Sequence, residues 1–392
     1  MRKYLFILFS MVMISSCTKA QNSMAEAIDK LCAPLFPNGE PGAAVLVMKG
    51  NDIIFDKGYG IADIETKAKI DGNTFFNVAS ISKQFTATAA MQLCEKGIIT
   101  LNDPVSKYFP NFKADFWKDI TLGMLLSHCS GVPDARPRDN REFTLTCTDR
   151  ESVQYMENLD FLHFTPGTQY EYMNPTFDLF YLMIENLTGM SFEQYMKENV
   201  FNPAGMKETL YFSPDKIIPN MAHCYDYESS SVSDEDNDKP KSATAASVNQ
   251  TENKNKEWYE YDYGEETFFA TKADGGIYSS THEFVLWEKA LRNNLVMSAQ
   301  SRDNAQSIHT DVSGSTFSSY QNRPFTGYGY GWFIDNTPDS PKKIYHTGDN
   351  GGFKALVCRY PEQNIFIVIF ANRPDWDRWK LLKDIESVMF AE

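Results

Sequence analysis

VASISKQF, residues 78–85, sets a serine and a lysine three positions apart inside an apolar run. The spacing reads as helical. Ser80, Lys83, Ala87, Ala90 and Cys94 fall at i, i+3, i+7, i+10 and i+14, on one face. Ile81, Phe85, Ala89 and Leu93 make a second apolar stripe. A helix apolar around so much of its circumference is a buried one. Asn77 stands where an N-cap belongs, and Gly97 where the helix should stop. Lys83 is then the anomaly, because an unpaired ammonium in a core is costly.

Chemistry offers a reason for it. One helical turn brings Lys83 beside Ser80. Burial lowers a lysine pKa, so its amine can accept a proton, and a serine hydroxyl needs such a neighbour to become a nucleophile. The start of a helix adds positive potential and free N–H groups for an anionic intermediate. Ser-x-x-Lys alone is a weak signal, since it recurs at Ser16–Lys19, Ser213–Lys216 and Ser340–Lys343. The first lies in an N-terminal leader. The other two carry proline directly after the serine, in turn-like settings. Only Ser80–Lys83 opens a buried helix.

Upstream, GAAVLVMKGNDIIFDKGYG (42–60) reads as a β-hairpin, two β-rich runs around Gly50-Asn51-Asp52. Downstream, TLGMLLSH (121–128) and NPTFDLFYLMIENLTG (174–189) read as helices. The second has Asn174 as N-cap, Pro175 at its first position and Gly189 as terminator. Ser191 and Gln194 form a capping-box pattern for the next helix. Residues 228–257 are rich in Ser, Asp, Asn, Lys and Thr, which marks a solvated surface insertion. KKIYHTG (342–348), FKALVCRY (353–360) and NIFIVIFAN (364–372) are three β-rich runs, an antiparallel meander. DWDRWKLLKDIESVMF (375–390) is a closing amphipathic helix.

The expected fold is α+β. Residues 41–76 and 264–392 build an antiparallel sheet flanked by helices, and 77–263 form a mostly helical region beside it. Residues 18–40 hold a tether and a first helix. With 392 residues there is room for both regions, and no internal repeat points to a solenoid or propeller. Acidic residues outnumber basic ones 52 to 37, a formal charge of −15, which argues against nucleic acid as a partner.

Residues 1–17, MRKYLFILFSMVMISSC, have a signal-peptide layout: Arg2 and Lys3, an apolar run, then small residues. The run is short for a membrane span. ISSC ending at Cys17 resembles a bacterial lipoprotein box, which implies cleavage before Cys17 and lipid attachment to it. The chain would then be anchored in a bacterial cell envelope, periplasmic or surface-facing. Six scattered cysteines remain, read mostly as buried small hydrophobes. A Cys129–Cys147 bridge is open in an oxidising compartment. The six histidines show no metal-binding spacing, so neither metal nor cofactor is expected.

Two further triplets follow Ser80–Lys83 in order. Tyr172-Met173-Asn174 lies in FTPGTQYEYMN (164–174), and His346-Thr347-Gly348 in HTGDNGGFKALVCRYPE (346–362). Tyr-x-Asn recurs at Tyr320–Asn322; His-x-Gly occurs once. With LLSHCSGV (125–132) and YGYGW (328–332), these segments resemble the β-lactamase-related serine hydrolases: class C β-lactamases, D-alanyl-D-alanine carboxypeptidases and family VIII-type esterases. The likeness runs from about Pro41 to Arg373, apart from the insertion.

The resemblance implies a β-lactamase/transpeptidase-like fold. It makes Ser80 the acylated nucleophile, Lys83 its proton partner and Tyr172 the general base. Asn174 would hold the substrate's carbonyl or amide. His346 and Gly348 would lie on the strand beside the nucleophile. The N–H groups of Ser80 and Asp349 would form the oxyanion hole. Substrates would be small esters, amides or peptides containing D-amino acids. A catalytically silent envelope protein that binds on the same scaffold is the alternative, and intact triplets weigh against it. His128 reads as structural.

Two departures matter. The β-lactamases proper carry lysine where this chain has His346, which lowers the expectation of strong β-lactamase activity. Histidine, with an unperturbed pKa of about 6.5, is charged only in part near neutral pH, and carboxylate substrates are expected to bind better as His346 protonates. Pro175-Thr176-Phe177 also replaces a small, glycine-containing stretch, which should reshape the pocket.

Overall fold

The structure, a computed structural model, describes residues 21–137, 146–212, 217–228, 257–260, 271–317 and 325–391. The leader with Cys17, most of the insertion, and the Tyr320–Asn322 and Ser213–Lys216 motifs lie outside them. Among the described residues the strands are, in chain order, β1 (Ala43–Lys49), β2 (Asp52–Tyr59), β3 (Phe76–Asn77), β4 (Leu210–Tyr211), β5 (Tyr225–Glu228), β6 (Glu257–Glu260), β7 (Ile277–Ser279), β8 (Thr310–Asp311), β9 (Thr326–Tyr328), β10 (Phe333–Asp335), β11 (Lys343–Asn350), β12 (Phe353–Tyr360) and β13 (Ile365–Ala371).

Eight of them form one sheet in the order β2-β1-β13-β12-β11-β10-β9-β8. Its pairs are antiparallel. The run IFIVIFA in β13 is buried at every position. An antiparallel strand without polar alternation needs cover on both faces, and both are covered. One face packs against the helices of the middle of the chain in the larger apolar cluster. The other packs against the helix over residues 21–32 and the closing Arg378–Met389 helix, through Ile28, Cys32, Leu381 and Ile385. The fold is thus α+β.

The Lys83–Glu95 helix lies at the centre, buried from Lys83 through Leu93. Its polar members are satisfied. Gln84 accepts from Trp287 Nε1 at 3.2 Å, Thr86 donates to the Ala273 carbonyl at 2.7 Å, and Gln92 donates to the carbonyls of Asn199 and Val296. Gly97, at φ +68°, sits just past its end.

The boundary expected near residue 263 lies outside the described residues. A small sheet β3-β7-β4 knits the two regions, since β7 comes from the C-terminal part and β3 and β4 from the middle. The Thr281–Arg292 helix, inside the expected sheet region, packs against the sheet's face with Phe284 on Phe370. The flanks of the insertion pair as a ribbon, β5 with β6. Cys129 and Cys147 are free thiols, so no disulfide joins them. Among the described residues no helix is long and apolar enough to cross a membrane.

Asn372, fully buried after β13, ties three segments together. Its Oδ1 accepts from Gly42 N–H at 2.7 Å, and its Nδ2 donates to the carbonyls of Ile61, Ala62 and His223. Asn372→Ala takes away the acceptor of Gly42 N–H and the donor to the three carbonyls in a dry site, leaving the Ala62 carbonyl only His223 N–H. Urea or thermal unfolding should show a loss of about 3 kcal/mol, and a loss under ~1 kcal/mol would rule out this role.

Candidate active site

The Ser80 segment does not begin as an α-helix. Asn77 belongs to β3, so it cannot be the helix cap that the sequence suggests. Its Oδ1 instead accepts from Ala79 N–H at 2.8 Å, an Asx-type turn two residues on. Ala79 has φ +46°, a left-handed conformation unfavourable for a residue with a Cβ. The turn leads into a 3-10 stretch, Ala79–Ser82, and the α-helix starts at Lys83. Ser80 sits half-buried on that stretch, and the next serine, Ser82, accepts from Ile277 N–H at 3.1 Å.

Lys83 is fully buried. Its Nζ donates to Ser80 Oγ at 3.2 Å and to the Asp274 carbonyl at 2.8 Å, with Asp274 Oδ2 at 3.9 Å. It also faces the rings of Tyr172 and Phe177, 5.0 and 5.5 Å from their centroids. Burial lowers its pKa to about 8, against the opposing pull of Asp274 and Asp178. At pH 7 the amine is therefore still mostly protonated, with roughly a tenth of it free as a base. That is more charge than the sequence reading anticipated.

Tyr172 Oη is buried and makes no hydrogen bond of good geometry. Burial raises its phenol above the ordinary value; Ser80, close to it, pulls the other way. Asn174 stands at the start of the Pro175–Thr188 helix but does not cap it with its side chain. Its φ and ψ are already helical, and its own carbonyl takes Phe177 N–H at 3.0 Å. The amide is left over, with Oδ1 buried and unpartnered.

His128 holds this segment from behind. Its carbonyl accepts from Glu171 N–H at 2.9 Å and its Nδ1 from Met173 N–H at 3.1 Å. Its ring lies 4.3 Å from that of Tyr172. Burial, then the charge of Lys83, keeps its pKa well below the ordinary value, so the ring is neutral. These contacts give His128, in the segment LLSHCSGV, the structural role read for it from the sequence.

β11 closes the other side. A Cβ on Gly348 would lie 2.2 Å from the Val78 carbonyl oxygen, so only glycine lets the strand come this close to the nucleophile turn. His346 is buried, its ring 6.2 Å from that of Tyr172. Its Nδ1–H donates to the Thr347 carbonyl at 2.7 Å and its Nε2 accepts from Tyr328 Oη at 2.9 Å. Burial, then Lys83, lowers its pKa to about 3. Burial and these two hydrogen bonds favour the neutral ring, against the expectation that His346 protonates near pH 6.5 and attracts anions. Asp349 follows Gly348 on the strand, and its carboxylate is held by Arg378.

Ser80, Lys83, Tyr172, His346 and Gly348 thus come together around one turn. Asn174 lies two residues from Tyr172; the Asp349 side chain turns to Arg378; Cys17 lies outside the described residues. Of the other Ser-x-x-Lys pairs, Ser340–Lys343 has its lysine on Glu386 at 3.1 Å, an ordinary ion pair. Behind Lys83 are three buried carboxyl groups, Asp149, Asp178 and Asp274. Asp149 accepts from the N–H groups of Lys272 and Ala273 at 2.8 and 3.0 Å, and burial raises it to about 7. Among the described residues no group of three or more His, Cys, Asp or Glu side chains is placed to hold a metal ion.

The family model described as Beta-lactamase matches residues 28–385. The chain belongs to that family. Penicillin-binding protein 4* of Bacillus subtilis (strain 168) is 26% identical over 362 residues, covering 89% of this chain and 72% of that protein. Protein flp of Staphylococcus aureus (strain MW2) is 27% identical over 359 residues, and the chain spans 64% of its length. Among solved structures, the penicillin-binding protein of Bacillus halodurans superposes with a TM-score of 0.70 at 24% identity, covering 88% of this chain and 96% of that one. The D-amino acid amidase of Ochrobactrum anthropi SV3, complexed with D-phenylalanine, gives 0.71 at 19% identity, covering 94% and 98%. At these identities the structures establish the fold, penicillin-binding and transpeptidase-like.

Lys83 must lose its proton to act as a base. With a pKa of about 8, the single-turnover acylation rate should rise with pH and level off above pH 8. Asp274→Asn removes an attraction that favours the ammonium, so the midpoint should move to lower pH. A midpoint that stays put or rises would exclude Asp274 from setting the charge of Lys83.

Proposed function

We propose that the chain is a serine hydrolase working through an acyl-enzyme on Ser80. The observation that carries this reading is a fully buried lysine amine 3.2 Å from a serine hydroxyl. As Ser80 Oγ bonds to the substrate's carbonyl carbon, its proton passes to the neutral amine of Lys83, which takes the base's part that the resemblance gives to Tyr172, because burial raises that phenol and keeps it protonated. The carbonyl electron pair moves onto oxygen and is held by the N–H groups of Ser80 and Asp349. The tetrahedral adduct then collapses, and the alcohol or amine leaves with a proton delivered through Tyr172. Water, losing its proton to the same groups, attacks the ester and frees Ser80. A general base contributes about 10²–10⁴-fold and one oxyanion donor about 10²–10³-fold. Asn174, with its free amide, would orient the acyl group.

The substrates proposed are small esters and amides, including D-amino-acid derivatives and cell-wall peptides. The fold match to a D-amino acid amidase supports this class. β-Lactam hydrolysis would be weak, since a neutral His346 stands where the β-lactamases carry lysine. The N-terminal pattern supports an envelope lipoprotein anchored through Cys17.

Incubation with a fluorophosphonate or penicillin probe, followed by peptide mass spectrometry, should label Ser80, and Ser80→Ala should lose the label. Folded wild-type protein that no such probe modifies would favour the silent binder.

Because His346 stays neutral above about pH 3, the KM for a carboxylate-bearing ester should be flat between about pH 5.5 and 8. A KM that falls tenfold toward the acid end would restore the imidazolium as an anion site.

A further inference from the structure

We infer that Arg378 makes the oxyanion hole usable by cancelling and turning away the carboxylate of Asp349. This rests on the acyl-enzyme reading above. In that reading one of the two hole donors is the N–H of a residue that itself carries a negative charge. A free carboxylate so near a developing oxyanion would repel it where electrostatic stabilisation matters most.

Strand geometry supplies half of the remedy. Gly348 faces the Val78 carbonyl and Ala79, so the side chain of Asp349 emerges on the opposite face of the sheet. Arg378 supplies the other half. Its Nη1 donates to Oδ2 at 3.0 Å and its Nη2 to Oδ1, a two-pronged grip. Arg378 opens the closing helix, where the carboxylate of Asp377 fixes the backbone by accepting from the N–H groups of Trp379 and Lys380. Lys354, opposite Asp349 on β12, is committed elsewhere, to the carbonyls of Pro374 and Trp376. Arg378 is therefore the cation that grips Asp349.

Stability alone gives little reason for the pair. The arginine side chain is 5% exposed and that of Asp349 64%, so a buried cation is spent on a largely solvated anion. The charge of Asp349 also reaches the site, since it helps hold the Tyr172 phenol above its ordinary value. Arg378 is a positioning residue, acting on the reaction through Asp349.

The test is the acylation burst with p-nitrophenyl acetate, with thermal melting as the fold control. Arg378→Met should slow acylation about tenfold or more with little change in KM for this neutral ester. Adding Asp349→Asn to it should recover most of the loss. Because the exposed carboxylate is open to ions, 1 M salt should also speed Arg378→Met, which a packing defect would not show. Equal bursts in wild type and Arg378→Met, or a double variant no faster than the single one, would overturn the inference. Should Arg378→Met melt below assay temperature, Arg378→Gln, which keeps hydrogen-bond donors but not the charge, carries the test. There a slower, salt-sensitive burst supports the role, and a wild-type burst at all salt concentrations overturns it. A wild-type protein that never acylates Ser80 removes the underlying reading as well, and is told apart by that result alone.

Discussion

A lysine amine cut off from water needs protein groups in place of its hydration shell. Around Lys83 these are the Ser80 hydroxyl, the Asp274 carbonyl and two aromatic faces. Much of the surrounding structure holds them in place. The chain from Lys272 to Ile277 is laced along the Lys83–Glu95 helix and the turn before it by Ser82, Lys83 and Thr86, and from the other side by Asp149. That same chain runs on into β7, which pairs with β3 and so fixes Asn77 and the strained turn before Ser80. The amine, the turn and the small sheet are one mechanical unit.

The second constraint is the approach of β11. It is set by the absence of a side chain at Gly348 and by a hydrogen bond from Asn350 Nδ2 to Asn77 Oδ1, at 3.3 Å, which links the strand to the turn. Inside, both imidazoles are neutral, dried by burial and by the charge of Lys83. Behind Lys83, burial also raises the carboxyl groups of Asp149 and Asp178 toward their neutral forms.

How far the sequence discloses this differs from residue to residue. The hairpin, the closing meander and the buried helix are all written in local periodicity, and β1, β2, β11, β12 and β13 lie where alternation and turn residues put them. Ser80 and Lys83 are legible because a charged residue on an apolar face asks for an explanation. Asn77 and Asn174 misled, since both look like caps by position. In the fold one is claimed by a strand, and the other's backbone carbonyl already takes the N–H it would have capped. The charge state of His346 was invisible because it depends on Tyr328 and on burial. Asp274 and Arg378 left no local trace: each meets its partner across a long stretch of chain, and only tertiary packing brings them together.

The β5–β6 ribbon has a consequence of its own. Glu228 and Glu257 are directly paired, so the two ends of the polar insertion are pinned about 5 Å apart. The ribbon root is welded to the β11–β12 turn, where Gly352 N–H reaches Cys224 Sγ at 2.8 Å and its Cα abuts Tyr225. Any movement of the ribbon root is therefore felt at the turn that follows Asp349 and Asn350.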